Sequence, residues 1–539
     1  MPFTHQESKV TPAKDTQSRT ALPCIGWLCI IAVLWLAMAL RCVALDQVPP
    51  ALHSEEAVNG YEAYSLLKTG RDQWGNPWPV TIRGFNDYRR PGFIYSLIPF
   101  VATLGLSAFG VRAAAAVWGL LGVLFTYRLA RDMFGWPAGT LAGLMLAISP
   151  WHLPFSRLGV EATLTILTVV LGVLCAWRWF ISKRRAWLIG AGLAFGLSLY
   201  TQPTAQAFTP LMAAAFVLVS ARRVWQYKRV AMLAALVLVL TTIPLVYSLA
   251  SNPQTWNRLD AVGVLRPDEP LYKSLTIVGR QWLGHFSPDY LFVHGDAQKY
   301  YHPPGFGQLY AVDALLLPLG VLGMFWARKN RSAGALLMAW IALGALPAAL
   351  TIQEMGTPHS MRGIFGLPAY AIVSAQGIMT IWNARHLGTR WRMALLGTLA
   401  GLLIWNAATF LQNYFVVYPV RAARAFEYGV KEAVEYITAH EDEYDAIVVT
   451  NWISQPHIFV LFFQRYDPRR FQAEPIEYSP KLAARLKHWD KYWVGDVEKF
   501  YAELEHGLFV APPHMLEDVE PDLVIYYPNG LPAFKIISK

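Results

Sequence analysis

Residues 23–45, PCIGWLCIIAVLWLAMALRCVAL, are followed at 53–70 by HSEEAVNGYEAYSLLKTG. The first stretch is long enough to cross a bilayer, so the paired Glu55 and Glu56 emerge at a membrane surface rather than in bulk water. Ala37-Met38-Ala39 has the small-x-small form of a signal-peptide cleavage site. The apolar stretch outlasts a signal core, however, and Lys9, Lys14 and Arg19 ahead of it fit an uncleaved anchor that starts in the cytoplasm.

Outward from this point the chain repeats the pattern. Runs of spanning or near-spanning length lie near 111–127, 137–148, 161–180, 187–200, 205–220, 230–249, 309–327, 333–352, 364–382 and 393–411. With 539 residues, 55% of them hydrophobic, 15% charged and 21 Trp, an ordinary soluble domain is excluded. The net charge of +10 would suggest nucleic acid in a soluble protein. Here the basic residues gather in YRLARD (127–132), ISKRRAW (181–187), ARRVWQYKR (221–229), WARKNR (326–331) and NARHLGTRWR (383–392), so they orient the chain in a bilayer and no nucleic acid is expected.

Residues 92–106 are ambiguous by length, and parity decides their reading. If they do not cross, every basic segment falls on the cytoplasmic side, as the positive-inside rule asks. The expectation is therefore a polytopic α-helical membrane protein with about eleven spans plus interfacial helices. Residues 1–22 form a cytoplasmic tail, 23–412 the membrane domain with an external loop over 46–110, and 413–539 a small extracytoplasmic α/β domain. In that last domain an amphipathic helix is expected near 420–440, with strands at DAIVVT (445–450), FVLFFQ (459–464) and LVIYYP (523–528). Cys24, Cys29, Cys42 and Cys175 lack metal-ligand spacing and read as small core residues.

The outer face collects the chemistry. Glu55 and Glu56 would project about 100° apart on a helix, so one would work and the other support. A sheltered carboxylate can act as general base toward a hydroxyl, although a hydrated acidic helix start would look the same. Glu161, at the outer end of a span, is a second candidate, and an interfacial ion pair with Arg157 is the alternative. Arg89, Arg90, Arg112, Arg157 and Arg362, with His359, are candidates to hold a phosphate, and lipid headgroups would suit them equally. Tyr61, Tyr88, Tyr200, Tyr301 and His302 are candidates to line a substrate site. Asp289, His294, Asp296 and His302 match no recognised metal motif, so neither a cofactor nor a divalent metal is expected. Tyr300, Tyr301, Phe306 and Tyr310 could stack on sugar rings or belong to an interfacial aromatic belt.

The acidic pair, the turn GRDQWGNPWP (70–79), YRRPGFIYSLIP (88–99), FGVR (109–112), SPWHLPFSRLGVEA (149–162) and PHSMRGIFGLP (358–368) together resemble the family 39 membrane glycosyltransferases. That family includes protein O-mannosyltransferases and lipid A aminoarabinose transferases, and the resemblance covers about residues 23–412. It implies a GT-C fold and transfer of a single sugar from a polyprenyl (dolichyl) phosphate to a protein, lipid or glycan acceptor, with inversion. Glu55 then matches the catalytic acid, usually Asp, and Glu56 its partner; Glu161 matches the second acidic position. Arg89 or Arg90 stands where a Lys often precedes Pro, and Arg112 matches the Arg opening the next span. Gln206 stands where an Arg would be expected. The implied location is the plasma (inner) membrane, amino terminus cytoplasmic and active site outside. A transporter or flippase of a lipid-linked sugar, or a glycan-binding scaffold, would use many of the same residue types.

Overall fold

The computed structural model describes residues 24–84, 88–256, 262–266, 269–352, 358–478 and 486–539. The expected cytoplasmic tail at 1–22, with Lys9, Lys14 and Arg19, lies outside the described residues, as does 353–357 in the loop before His359.

The first half of the chain forms α1 (Cys24–Cys42), α2 (Ser54–Thr69), α3 (Gly92–Leu104), α4 (Ala108–Phe134), α5 (Trp136–Ala147), α6 (His152–Phe155), α7 (Ala162–Ser182), α8 (Arg185–Ser198), α9 (Ala205–Val219), α10 (Ala221–Gln226) and α11 (Lys228–Ser251). Among the described residues, seven helices are long and apolar enough to cross a bilayer, and four apolar ones are shorter, α3 among them. The 13 residues of α3 reach only ~20 Å, well short of the ~30 Å hydrocarbon core. Its Phe93, Ile94, Leu97 and Val101 are buried with side chains of α2 and α4.

Helix pairs in the membrane domain approach through small residues, as expected where lipid supplies no hydrophobic drive to associate. On Asp313–Trp326 and Leu367–Asn383, a Cβ at Gly320 would meet the Val373 carbonyl oxygen at 2.1 Å, and one at Gly377 that of Leu316 at 2.2 Å. No cysteine among the described residues is buried: Cys24 and Cys42 are exposed and Cys29 and Cys175 half-buried. Reading them as core residues fails for Cys24 and Cys42, because a lipid-facing surface is as apolar as a core, whereas Cys175 packs against the membrane-domain core.

The last membrane helix, Thr389–Gln412, runs on without a break through 413–417 and Tyr418–Ala422 to Phe426. The boundary drawn at 413 therefore falls inside helix, and the amphipathic helix begins later than expected, at Val430–His440. Besides the small pair β1 (Ile82–Arg83) and β2 (Tyr88–Arg89), the strands β3 (Ala446–Thr450), β4 (Glu477–Tyr478), β5 (Leu486–Trp489), β6 (Tyr492–Gly495), β7 (Gly507–Ala511), β8 (Leu523–Tyr526) and β9 (Pro532–Ser538) form one sheet. Its order is β4-β5-β6-β3-β7-β9-β8, with β6, β3 and β7 parallel and the outer pairs antiparallel.

DAIVVT and LVIYYP supply β3 and β8 as expected, but FVLFFQ lies mostly in the helix Pro456–Phe463. Pro456 starts that helix, and every residue from Pro456 to Phe462 is buried. A segment covered on all sides carries neither helical nor strand periodicity, so its sequence could not discriminate. The cover is α2: a Cβ on Gly60 would sit 2.6 Å from Phe462 and 2.7 Å from Val111. One hydrophobic cluster accordingly joins Ala57, Val58 and Leu66 of α2 to Ile447, Ile458 and Phe462 of the carboxy-terminal domain.

Candidate active site at the head of α2

His53 caps α2, although Ser54 has the commoner capping side chain. The Glu55 amide donates to His53 Nδ1 at 3.2 Å and the Glu56 carboxylate accepts from the His53 amide at 3.1 Å. This capping box fixes the direction in which each acid leaves the helix.

Glu56 points inward and is fully buried. Its oxygens pair with Arg112 Nε at 2.9 Å and Nη2 at 3.1 Å, and Oε1 also accepts from the Gly159 amide at 2.8 Å. A Cβ on Gly159 would lie 2.3 Å from Val111, so only glycine brings its amide this close. Arg112 spends its remaining donors on the carbonyls of Leu45, Pro49 and Ala51. All five of its N–H groups are then committed, leaving none for a phosphate. Arg157 is likewise buried, donating to the carbonyls of Leu40, Val43, Ala44 and Val48 and lying over the Phe415 ring at 4.9 Å. Arg112 and Glu56 are thus engaged with each other and with the backbone, and Arg157 with the backbone, in contrast to the expected phosphate-binding and catalytic positions. Together they pin the chain between α1 and α2, whose carbonyls would otherwise be unsatisfied on burial. Arg157 has no ion pair with Glu161 to offer, since its partners are those carbonyls.

Glu55 faces the other way and is half-buried. Tyr301 Oη donates to Glu55 Oε2 at 3.3 Å. His53 stacks on Tyr300 at 4.6 Å and 15°, and meets Phe426 edge-on at 6.2 Å. Burial, followed by the nearby Glu55 charge, pushes the half-buried Glu161 carboxyl up to about 7. The charges of Glu55 and of the half-buried Arg362 both act on Tyr300, Tyr301 and His359, so these groups share one electrostatic neighbourhood.

The remaining candidates sort by their partners. Arg89, half-buried on β2, donates to Asn59 Oδ1 at 3.3 Å, and its charge acts on Glu161. Arg90 is buried and donates to Gln206 Oε1 at 3.2 Å; burial lowers its guanidinium to about 10. His359 is buried on a turn whose Ser360 amide and hydroxyl both donate to Asp296 at 2.6 Å. Asp296 is thereby a structural anchor for the segment carrying Arg362.

Three lining candidates turn their polar atoms to the protein's own carbonyls. Tyr61 is buried with its hydroxyl on the Tyr466 carbonyl, Tyr200 donates to the Thr241 carbonyl at 2.6 Å, and the buried His302 ring engages the Phe306 carbonyl at 2.6 Å. Each hydroxyl or ring nitrogen closes a packing contact. Tyr88 reaches Gln254 beyond the end of α11 at 3.1 Å. Asp289 and His294 pair on the surface at 2.5 Å, apart from Asp296 and His302. Sequence reasoning missed His53 and Asn59; the signal was Glu56 three residues after His53, the spacing of a capping box.

Comparison with known proteins follows the same lines. The sequence model of the family described as "Dolichyl-phosphate-mannose-protein mannosyltransferase" matches residues 89–247. That stretch contains Arg89, Arg90, Arg112, Arg157 and Glu161, while Glu55 precedes it and Arg362 follows. A Bacillus subtilis protein described as "Putative mannosyltransferase YycA" is 25% identical over 235 residues, 44% of this chain and 33% of that protein, so the match spans about a third of the relative's length. The structure of ArnT from Cupriavidus metallidurans bound to undecaprenyl phosphate superposes with a TM-score of 0.56 at 15% identity, covering 96% of this chain and 98% of that one. AglB, the oligosaccharyltransferase of Archaeoglobus fulgidus, gives 0.53 at 12% identity, covering 82% and 63%. The chain therefore has the GT-C fold with an appended small α/β domain, and it resembles the family 39 membrane glycosyltransferases.

Proposed function

We propose that this protein transfers a single sugar from a polyprenyl (dolichyl) phosphate to an acceptor hydroxyl at the extracytoplasmic face of the plasma (inner) membrane, with inversion. In this reading the chain crosses the bilayer about eleven times from a cytoplasmic amino terminus, with α3 in the outer leaflet. The observation that carries the proposal is the half-buried Glu55, presented by the capped first turn of α2 beside Tyr301, with Glu161, Arg89 and Arg362 around it.

Glu55 takes the proton of the acceptor hydroxyl as that oxygen bonds to the anomeric carbon. The bond from that carbon to the donor phosphate breaks, and polyprenyl phosphate leaves carrying the electron pair. Arg89 and Arg362 neutralise the charge developing on the phosphate, and Arg90 supports β2 from within. Glu161, with its raised carboxyl, orients the acceptor or donor sugar by hydrogen bonding. Because guanidinium groups supply the positive charge, turnover is expected to survive EDTA.

The test is release of polyprenyl phosphate by the protein in nanodiscs, offered a panel of polyprenyl-phosphate sugars and cell-envelope acceptors. A sugar-specific signal that disappears in Glu55→Gln is expected. No release by either protein, despite demonstrated donor binding, would overturn the proposal in favour of transport or scaffolding.

A further inference from the structure

The carboxy-terminal sheet contains a topological switch point. From β3 the chain passes to Pro456–Phe463, which packs in the cluster containing Ile447 and Val449. From the neighbouring β7 it passes instead to Met515, Leu516 and Val519, packed with Val448 and Phe509 on the opposite face. The carboxyl ends of two adjacent parallel strands therefore diverge, and such a crevice is where open α/β sheets bind ligands.

What lines this crevice is unusual for a sheet end. Trp452 is 59% exposed, and the His514 ring meets it at 4.6 Å and 62°. The turn is held by the Trp452 amide on Thr450 Oγ1 at 3.2 Å. Gln455 is only 8% exposed, its Oε1 has no hydrogen-bond partner, and its φ is 56°. Glu427, which accepts from the Ser454 amide at 2.7 Å, has φ of 53°. Two non-glycine residues in the left-handed region on either side of one contact is strain of the kind kept at binding sites.

The crevice also adjoins the site on α2. Glu427 follows Phe426, whose ring packs edge-on against His53, the cap that orients Glu55. Packing contacts thus lead from Ser454 through Glu427 and the buried Phe426 to His53, the cap of the turn that carries Glu55.

We propose that this crevice binds a saccharide unit of the acceptor, which makes the acceptor a glycan-bearing molecule. The C–H face of the sugar stacks on the exposed Trp452 indole, while the exposed Ser454 hydroxyl takes one of its hydroxyl groups. The proposal deepens the transfer reading by naming the acceptor class, but binding at the crevice does not require turnover.

Full-length protein in nanodiscs is titrated with mannotetraose and with chitotetraose, and binding is read by saturation-transfer NMR. At least one oligosaccharide is expected to bind; Trp452→Ala weakens it at least about tenfold, and Trp452→Phe retains most of the affinity. Glu55→Gln keeps oligosaccharide binding while losing polyprenyl phosphate release, which separates failure of this proposal from failure of the transfer reading. Binding by neither sugar, or binding indifferent to Trp452→Ala, overturns the proposal. So does quenching of the Trp452 emission, taken as wild type minus Trp452→Phe, by lipids brominated near the headgroup, which would place the indole in the bilayer interface.

Discussion

The underside and the open side of the first turn of α2 differ more than their sequence suggests. Beneath it, Glu56, Arg112 and Arg157 are fully buried and nearly all their polar atoms are matched, mostly to carbonyls of the chain between α1 and α2. Above it, Glu55, Glu161, Arg89 and Arg362 remain half-buried; the charges of Glu55 and Arg89 act on Glu161, and those of Glu55, Glu161 and Arg362 act on Tyr301. Adjacent acids and similar arginines thus differ in burial: the first set is sealed against the backbone, and the second is the one proposed to meet a ligand.

Breaking the open side should cost activity alone. Glu55→Gln is expected to lower polyprenyl phosphate release by about 10²–10⁴-fold with no fall in thermal midpoint, since a general base contributes on that scale. Breaking the underside should cost folding. Glu56→Gln or Arg112→Met strands a buried charge, and a loss of about 3–5 kcal/mol is expected, read as a lower denaturation temperature or failure to fold in detergent.

A milder substitution sharpens the contrast between the arginines: Arg362→Ala should raise the donor KM about tenfold while leaving the denaturation midpoint in place. Arg157→Ala should do the reverse.

The smallest effect is a pH signature. Glu161 is raised to about 7 from an ordinary carboxylate value of 4.5, so the folded state holds its proton more tightly than the unfolded chain. The stabilisation is complete below about pH 4.5 and is lost as pH rises through about 7. The denaturation midpoint of wild type should decline across that window relative to Glu161→Gln. In Glu55→Gln the decline should shift to lower pH, because the Glu55 charge helps to raise Glu161.

Membrane class and the place of Glu55 at a helix start were legible in the sequence, because hydrophobic length and charge placement encode them directly. The resemblance put Glu55 in the catalytic position, but which acid turns inward was not legible, since that depends on His53 rather than Ser54 capping α2. Arg112 and Arg157 were misjudged because their partners are carbonyls of residues 40–51, and a backbone oxygen leaves no mark in composition. FVLFFQ was misjudged for the opposite reason: burial on every side erased the period that would have named its structure.

The close approach at Gly60 has a consequence for how this molecule can be rearranged. With Val111 on one side and Phe462 on the other, α2 is a keystone between two arches rather than part of either. Gln472 fastens the same joint, donating to Ser65, Thr69 and the Asp72 carbonyl. A chimera that exchanges the carboxy-terminal domain for a relative's must therefore carry residues 54–72 with it, or the turn bearing Glu55 will be seated on a foreign surface.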